Sequence, residues 1–249
     1  MHKLFTKIMG IFGYKLIDKE IFKNSRLISN ISYLKIDRLL KNLFEKKKNI
    51  SLIQIGANDG KRFDILNYYI KKYQTKSLLV EPIKKNFLEL IENYKDCKFV
   101  SIDNSAISVD NEISYLYKVD EKFIDNYSDH IPGITSFDKK HLIKHGVKNR
   151  HIITENVNSL SIVNLISKYH LADFDLLYID AEGYDGKIAI DLLKSTSLRP
   201  IIILEFIHVK NNTFRDLITN LEKNEYIIFS IDENLCCYPK NKREYIEFS

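Results

Sequence analysis

The chain has 249 residues, 45% of them hydrophobic and 29% charged; this suffices for one sizeable core and excludes a disordered or fibrous chain. The net charge of +5 is uneven: residues 1–50 hold twelve Lys or Arg against four Asp or Glu, a balance of +8, so the remainder carries −3. No run approaches the ~18 apolar residues of a membrane span, and Cys97, Cys236 and Cys237 lack zinc-like spacing, which fits free thiols in a reducing compartment.

Leu4, Ile8, Ile11 and Phe12 recur at helical spacing among Lys3, Lys7 and Lys15, and a second helical pattern runs through Ile31, Leu34, Leu40, Leu43 and Phe44. Residues 1–49 therefore read as a basic helical N-terminal extension. Its cationic apolar stripe suits either a solvated face or peripheral contact with an anionic membrane. Lysines interrupt its apolar start and no small-residue cleavage site follows, so it does not read as a signal peptide. The expected location is cytoplasmic, with any membrane contact peripheral and at the inner face.

From residue 50 to 249 the rhythm changes. Strand-like runs at Ser51–Ile55, Ser77–Val80, Lys98–Ile102, Asp175–Ile179, Ile201–Phe206 and Tyr226–Ile231 alternate with helical patterns at Arg62–Tyr73, Lys84–Tyr94, Gly186–Lys194 and Thr213–Lys223. Near-continuous apolar strands between helices predict an α/β fold, a doubly wound and mostly parallel sheet covered on both faces. Residues 111–160 depart from this rhythm and read as a substrate-loop insertion around 109–150, whose Thr135, Ser136, His141 and His145 are acceptor-facing candidates.

In such sheets ligands bind at the carboxyl ends of the strands, so chemistry is sought just after each one. The first strand runs into Gln54-Ile55-Gly56-Ala57-Asn58-Asp59-Gly60. Gly56 permits a tight turn and Gly60 a close backbone approach to a ligand. The spacing is not that of a dinucleotide fingerprint, and Asp59 would repel a pyrophosphate. A cofactor bearing an ammonium group tolerates these polar residues, which tilts the loop toward S-adenosylmethionine and away from NAD. Glu81-Pro82 ends the second strand twenty-one positions after Gly60, where an acid can accept hydrogen bonds from both ribose hydroxyls. Asp103, Asn104 and Ser105 follow the third strand, where the adenine is expected. The fourth apolar strand ends in Asp180-Ala181-Glu182-Gly183-Tyr184-Asp185, and the fifth delivers Glu205 and His208 to the same edge. Carboxylates so crowded need a metal, a cationic ligand or basic side chains beside them.

With these pieces in order over residues 50–231, the chain resembles the FkbM family of methyltransferases. The matching segments are Ile55 to Gly60, Val80-Glu81-Pro82, Asn104 to Ser108, Ile179 to Tyr184 and Ile203-Leu204-Glu205. The resemblance implies a Rossmann-like class I methyltransferase fold and O-methylation of a sugar, nucleotide sugar or surface-polysaccharide unit. The family commonly has Asp two residues before the first loop glycine. This chain has Gln54, leaving Asp59 as the expected source of that charge.

An alcohol is a poor nucleophile until its proton leaves, which suggests two designs. In one, His208 is the general base. In the other, Asp180 and Glu205, with Glu182 or His208 completing the shell, hold a divalent cation that lowers the hydroxyl's pKa, and the oxygen ligands favour Mg²⁺ or Mn²⁺. In either design Tyr184 is a candidate to orient the acceptor. Two other classes compete. A nucleic-acid methyltransferase suits the basic start, but the acidic strand tip would repel phosphate, so no nucleic-acid partner is expected. A non-catalytic membrane- or partner-docking module on a degenerate fold is opposed by the intact Gly56, Gly60 and Glu81.

Overall fold

The computed structural model describes residues 35–109, 115–128 and 131–246. The pattern from Leu4 to Phe12, and Ile31 and Leu34 of the second pattern, lie outside the described residues. The rest of the second pattern forms helix α1 (Ile36–Lys46), which buries Leu39, Leu40, Leu43 and Phe44. The Tyr69 hydroxyl donates to the Asp37 carbonyl and carboxylate at 2.9 and 2.8 Å, and Phe44 stacks on Tyr69 at 4.9 Å. This part of the expected extension is thus a layer of the main compact unit, which begins at Lys35.

The core is a seven-stranded sheet. Strands β1 (Ser51–Ile55), β2 (Lys76–Val80) and β3 (Val100–Asp103) alternate with α2 (Leu66–Tyr73) and α3 (Lys84–Tyr94). Short β4 (Ala106–Ile107) follows, and β5 (Tyr115–Val119), α4 (Lys139–Lys144) and β6 (Ile152–Asn156) make up most of the insertion. Then come β7 (Ser159–Leu160), α5 (Ile162–Lys168), β8 (Leu176–Ile179), α6 (Asp185–Ser195), β9 (Ile201–Glu205), α7 (Asn211–Lys223), β10 (Tyr226–Ile231) and β11 (Asn234–Pro239).

The strand order is β10-β11-β9-β8-β1-β2-β3. β1 pairs in parallel with both β2 and β8, while β11 runs antiparallel between β9 and β10. The central strands are buried along nearly their whole length, as parallel strands covered on both faces must be. The order reverses between β1 and β8, so a crevice opens there at the carboxyl ends.

The insertion has a small core of its own, Val119, Ile131, Ile134, Leu142 and Val147. It extends past residue 150, because β6 pairs antiparallel with β5, Tyr115 opposite Asn156 and Val119 opposite Ile152. No helix among the described residues is long and apolar enough to cross a membrane.

Candidate active site

The turn after β1 is fixed by two glycines with different tasks. Gly56 has φ +82°, and a Cβ there would lie 1.9 Å from the Asp180 carbonyl oxygen. Only glycine lets the tips of β1 and β8 close to this distance. Gly60 has φ +68°, and its Cβ would lie 2.3 Å from Leu90 and 2.7 Å from Tyr94. Its missing side chain therefore makes room for α3, not for a ligand as the sequence suggested.

Beneath this turn a cleft runs along the ends of β1, β2 and β8. Gln54, Gly56, Asn58, Glu81, Pro82, Ser105 and Asp180 line it. Glu81 is 4% exposed and accepts from the Asn58 and Ile83 amides, each at 2.9 Å. Burial pushes its carboxyl up to about 7, against the pull of those amides. Two such bonds leave acceptor capacity on both oxygens.

Three expected cofactor residues face elsewhere. Asp59 accepts from the Lys61 and Arg62 amides at 2.9 and 2.7 Å and from Arg62 Nε at 2.6 Å. Burial alone would raise its carboxyl, but the Arg62 guanidinium and these amides outweigh burial and hold it below the usual range. Asp103 is bound by Lys168 Nζ at 2.6 Å, the Tyr169 hydroxyl at 2.9 Å and Ser105 Oγ at 2.5 Å, and is likewise held low despite burial. Asn104 donates to the Glu81 and Pro82 carbonyls, both at 2.9 Å. Of the 103–105 segment, Ser105 alone borders the cleft, with Ala106, Ile107 and Leu116 beyond it.

Asp64, and not Asp59, is the acid of this segment that lines the cleft. Arg62 to Ile65 form a turn instead of the predicted helix start, and α2 begins at Leu66. That turn carries Asp64 into the cleft, where Gln54 Nε2 donates to its Oδ1 at 3.1 Å. Gln54 Oε1 and Asp64 Oδ2 are buried with no protein partner. Burial, countered by the Gln54 amide, raises the Asp64 carboxyl.

A second, wider cavity, open to solvent, shares Asn58, Arg62, Phe63, Gly133, Thr135, Asp180 and Glu182 with the cleft. Glu205, His208 and His145 border this cavity and not the cleft. Burial, then Glu182 and Asp64, pushes the Asp180 carboxyl up to about 7; burial, then Asp180 and Glu182, pushes Glu205 up to about 8. His208 Nε2 stands 3.8 Å from Glu205 Oε2, and burial, then His141, lowers the imidazole's pKa. Asp185 is fully buried and accepts from the Ala181 and Gly183 amides, both at 3.0 Å, so it shapes the acidic loop from inside.

Tyr184 lines neither of these cavities. It is 7% exposed, belongs to the main core and packs edge-on against Phe137 at 4.8 Å, with its hydroxyl 3.4 Å from Ser108 Oγ. The insertion residues divide. Thr135 lines both cavities, whereas buried Ser136 donates to the Glu182 carbonyl at 3.1 Å. The expected oxygen ligands do not gather either. Among the described residues, the group whose ligand atoms converge is His141, His145, Glu182 and His208, without Asp180 or Glu205.

The methyltransferase FkbM domain matches residues 54–228, and the chain belongs to that family. It is an S-adenosylmethionine-dependent methyltransferase with the class I fold. No curated protein is significantly similar to it in sequence. Among solved structures it resembles the METTL16 MTase domain (11% identity, 81% of this chain and 65% of that one, TM-score 0.45). It also resembles the Aeropyrum pernix fibrillarin with natively bound S-adenosyl-L-methionine (11%, 77% and 66%, TM-score 0.40). A third likeness is the precorrin-6y C5,15-methyltransferase of Geobacter metallireducens (11%, 81% and 76%, TM-score 0.39).

The cleft fits this cofactor on its own evidence. Gln54 Oε1 and Asp64 Oδ2 are buried acceptors lacking donors, which an ammonium supplies. Glu81 would accept from ribose hydroxyls there, and Ile107 and Leu116, which line the same cleft, would give a planar base an apolar wall.

Proposed function

We propose that the protein transfers a methyl group to a hydroxyl of a carbohydrate acceptor, a sugar or glycan unit. One observation carries this reading: the wider cavity, which shares Asp180 with the cofactor cleft, is lined by hydrogen-bonding carboxylates and an exposed aromatic ring. Phe63 is 78% exposed at φ +60° on the rim of both cavities. A bulky residue in the left-handed region is costly, and such strain gathers at functional sites. An exposed ring lining the same cavity as Asp180, Glu182 and Glu205 suits a sugar, which has an apolar ring face and hydroxyl donors at its edge.

S-adenosylmethionine supplies an electrophilic methyl group carried on a sulfonium. The chain has to position the acceptor hydroxyl and take its proton. Asp180 lines both cavities, whereas His208 lines the acceptor side alone, so Asp180 is the better placed base. Its carboxylate accepts the proton from the acceptor oxygen, and Thr135 and Glu182 border the same junction.

A radiolabelled methyl-transfer screen over sugars, nucleotide sugars and glycan fragments tests this. Transfer to at least one glycan is expected, with kcat falling at least ~100-fold in Asp180→Asn. Transfer to RNA or protein but to no glycan would overturn the acceptor class. An unchanged rate in Asp180→Asn would remove the base.

A further inference from the structure

We propose that His141, His145, Glu182 and His208 form a binding site for a zinc-class divalent cation that ties the insertion to the ends of β8 and β9. The four donors come from three separate segments. His141 lies on α4 and His145 caps its carboxyl end, four residues on and hence on the same helix face. Glu182 lies on the loop after β8, and His208 on the loop after β9.

Their ligand atoms all lie within 4.8 Å of one another. The rings of His141 and His145, and of His141 and His208, are 4.6 Å apart by centroid; those of His145 and His208 are 5.0 Å apart. His141 Nε2 and Glu182 Oε2 already touch at 2.7 Å. Tetrahedral bonds of about 2.0–2.1 Å separate donor atoms by roughly 3.3 Å, so a cation needs shifts of only about 1 Å from this starting point.

The surroundings hold the group in place. Glu182 has φ +49°, a conformation seldom adopted by a residue with a Cβ, and its carbonyl is gripped by Ser136 Oγ at 3.1 Å. Gly183, at φ +93°, lies so close to His208 that a Cβ would meet the His208 carbonyl oxygen at 3.0 Å. Lys210 Nζ reaches Asp138 Oδ2 at 3.3 Å, drawing the start of α4 toward the loop after β9.

The donor set selects the ion. Three imidazoles and one carboxylate favour Zn²⁺ and its first-row neighbours, whereas Mg²⁺ demands oxygen ligands in an octahedron. Four protein donors close a tetrahedral shell, the pattern of a structural zinc site. The ion would fasten the insertion over the acceptor cavity whatever acceptor is methylated.

The test uses the full chain, stripped by chelation and dialysed. Titration calorimetry and elemental analysis should find one Zn²⁺ per chain, and Co²⁺ should give the visible absorption of a four-coordinate ion. His145→Ala and His208→Ala should each weaken Zn²⁺ binding ~100-fold or more while the circular dichroism spectrum stays that of the parent. Excess Mg²⁺ should not displace the ion. Stoichiometric zinc lost in Asp180→Asn and Glu205→Gln but kept in both histidine variants would overturn the proposal. So would Zn²⁺ binding by the parent no tighter than by a His141→Ala/His145→Ala/His208→Ala chain, or an octahedral Co²⁺ spectrum. These readouts need no acceptor, so they fail independently of the carbohydrate reading.

Discussion

The Gln54 amide and the Asp64 carboxyl meet at 3.1 Å, and each keeps one buried oxygen without a protein donor in the cleft. A cationic ammonium placed there gains charge-assisted hydrogen bonds, and those are the stronger kind. Asp64→Asn should therefore weaken S-adenosylmethionine binding by about 1–3 kcal/mol in calorimetry, with Asp59→Asn affecting binding less. A larger loss in Asp59→Asn than in Asp64→Asn would mean that Asp59, not Asp64, serves the cofactor. Glu81→Ala should cost a similar ~1–3 kcal/mol, and parent-like affinity would remove Glu81 from the ribose. Glu81 was legible in the sequence because a strand tip at a fixed spacing leaves one place for an acid. Asp64 was not, since the apolar pattern from Arg62 to Tyr73 reads as unbroken helix. Asp59, Asp103 and Tyr184 show the complementary limit. Spacing identifies which strand end a residue follows, but Arg62, Lys168 and the Phe137 ring decide which way each side chain turns.

At the scale of elements, the six strands read from the sequence are all present; β1, β2, β8 and β9 are the surest, because runs buried on both faces have no other place to go. β11 was missed: it follows β10 without an intervening helix, and its run Asn234-Leu235-Cys236-Cys237-Tyr238-Pro239 alternates poorly. It inserts between β9 and β10, buries both cysteines and completes the sheet edge. The junction of β1 and β8 is the least forgiving contact near the site. In Gly56→Ala the new methyl would strike the Asp180 carbonyl and demand a left-handed alanine, so a loss of about 3 kcal/mol or more is expected in denaturant melts. The parent midpoint in that variant would show that the strand tips can part freely. The insertion was legible only as a break in rhythm. Its fold depends on β5 meeting β6 across more than thirty residues, a pairing no local pattern announces.

For the whole molecule, the titration of buried carboxylates sets an unusual sign. Glu81 and Asp185 are raised by burial to about 7 and about 8, from ordinary values near 4 in an unfolded chain. Between those limits the folded state binds more protons than the unfolded one, so stability declines as pH rises. Their stabilising contribution is complete below about pH 4 and is lost as pH climbs through 7 and 8. Asp180 and Glu205 act with the same sign. Asp59, Asp103 and Asp138 are held low by basic partners and amides that outweigh burial, so their contribution is present near neutrality and disappears only in acid. His208 and His151, lowered first by burial, also oppose the trend, but only below their ordinary pKa of about 6.5. From pH 6.5 to 8.5 the raised acids therefore dominate, and the melting temperature of metal-free, cofactor-free protein should fall steadily. Glu81→Gln should flatten part of that slope, since an amide does not titrate. Saturating S-adenosylmethionine should flatten it further, because a cation beside these groups favours their ionised form. A melting temperature that rises across the same window would show that these carboxyls are already ionised in the folded chain.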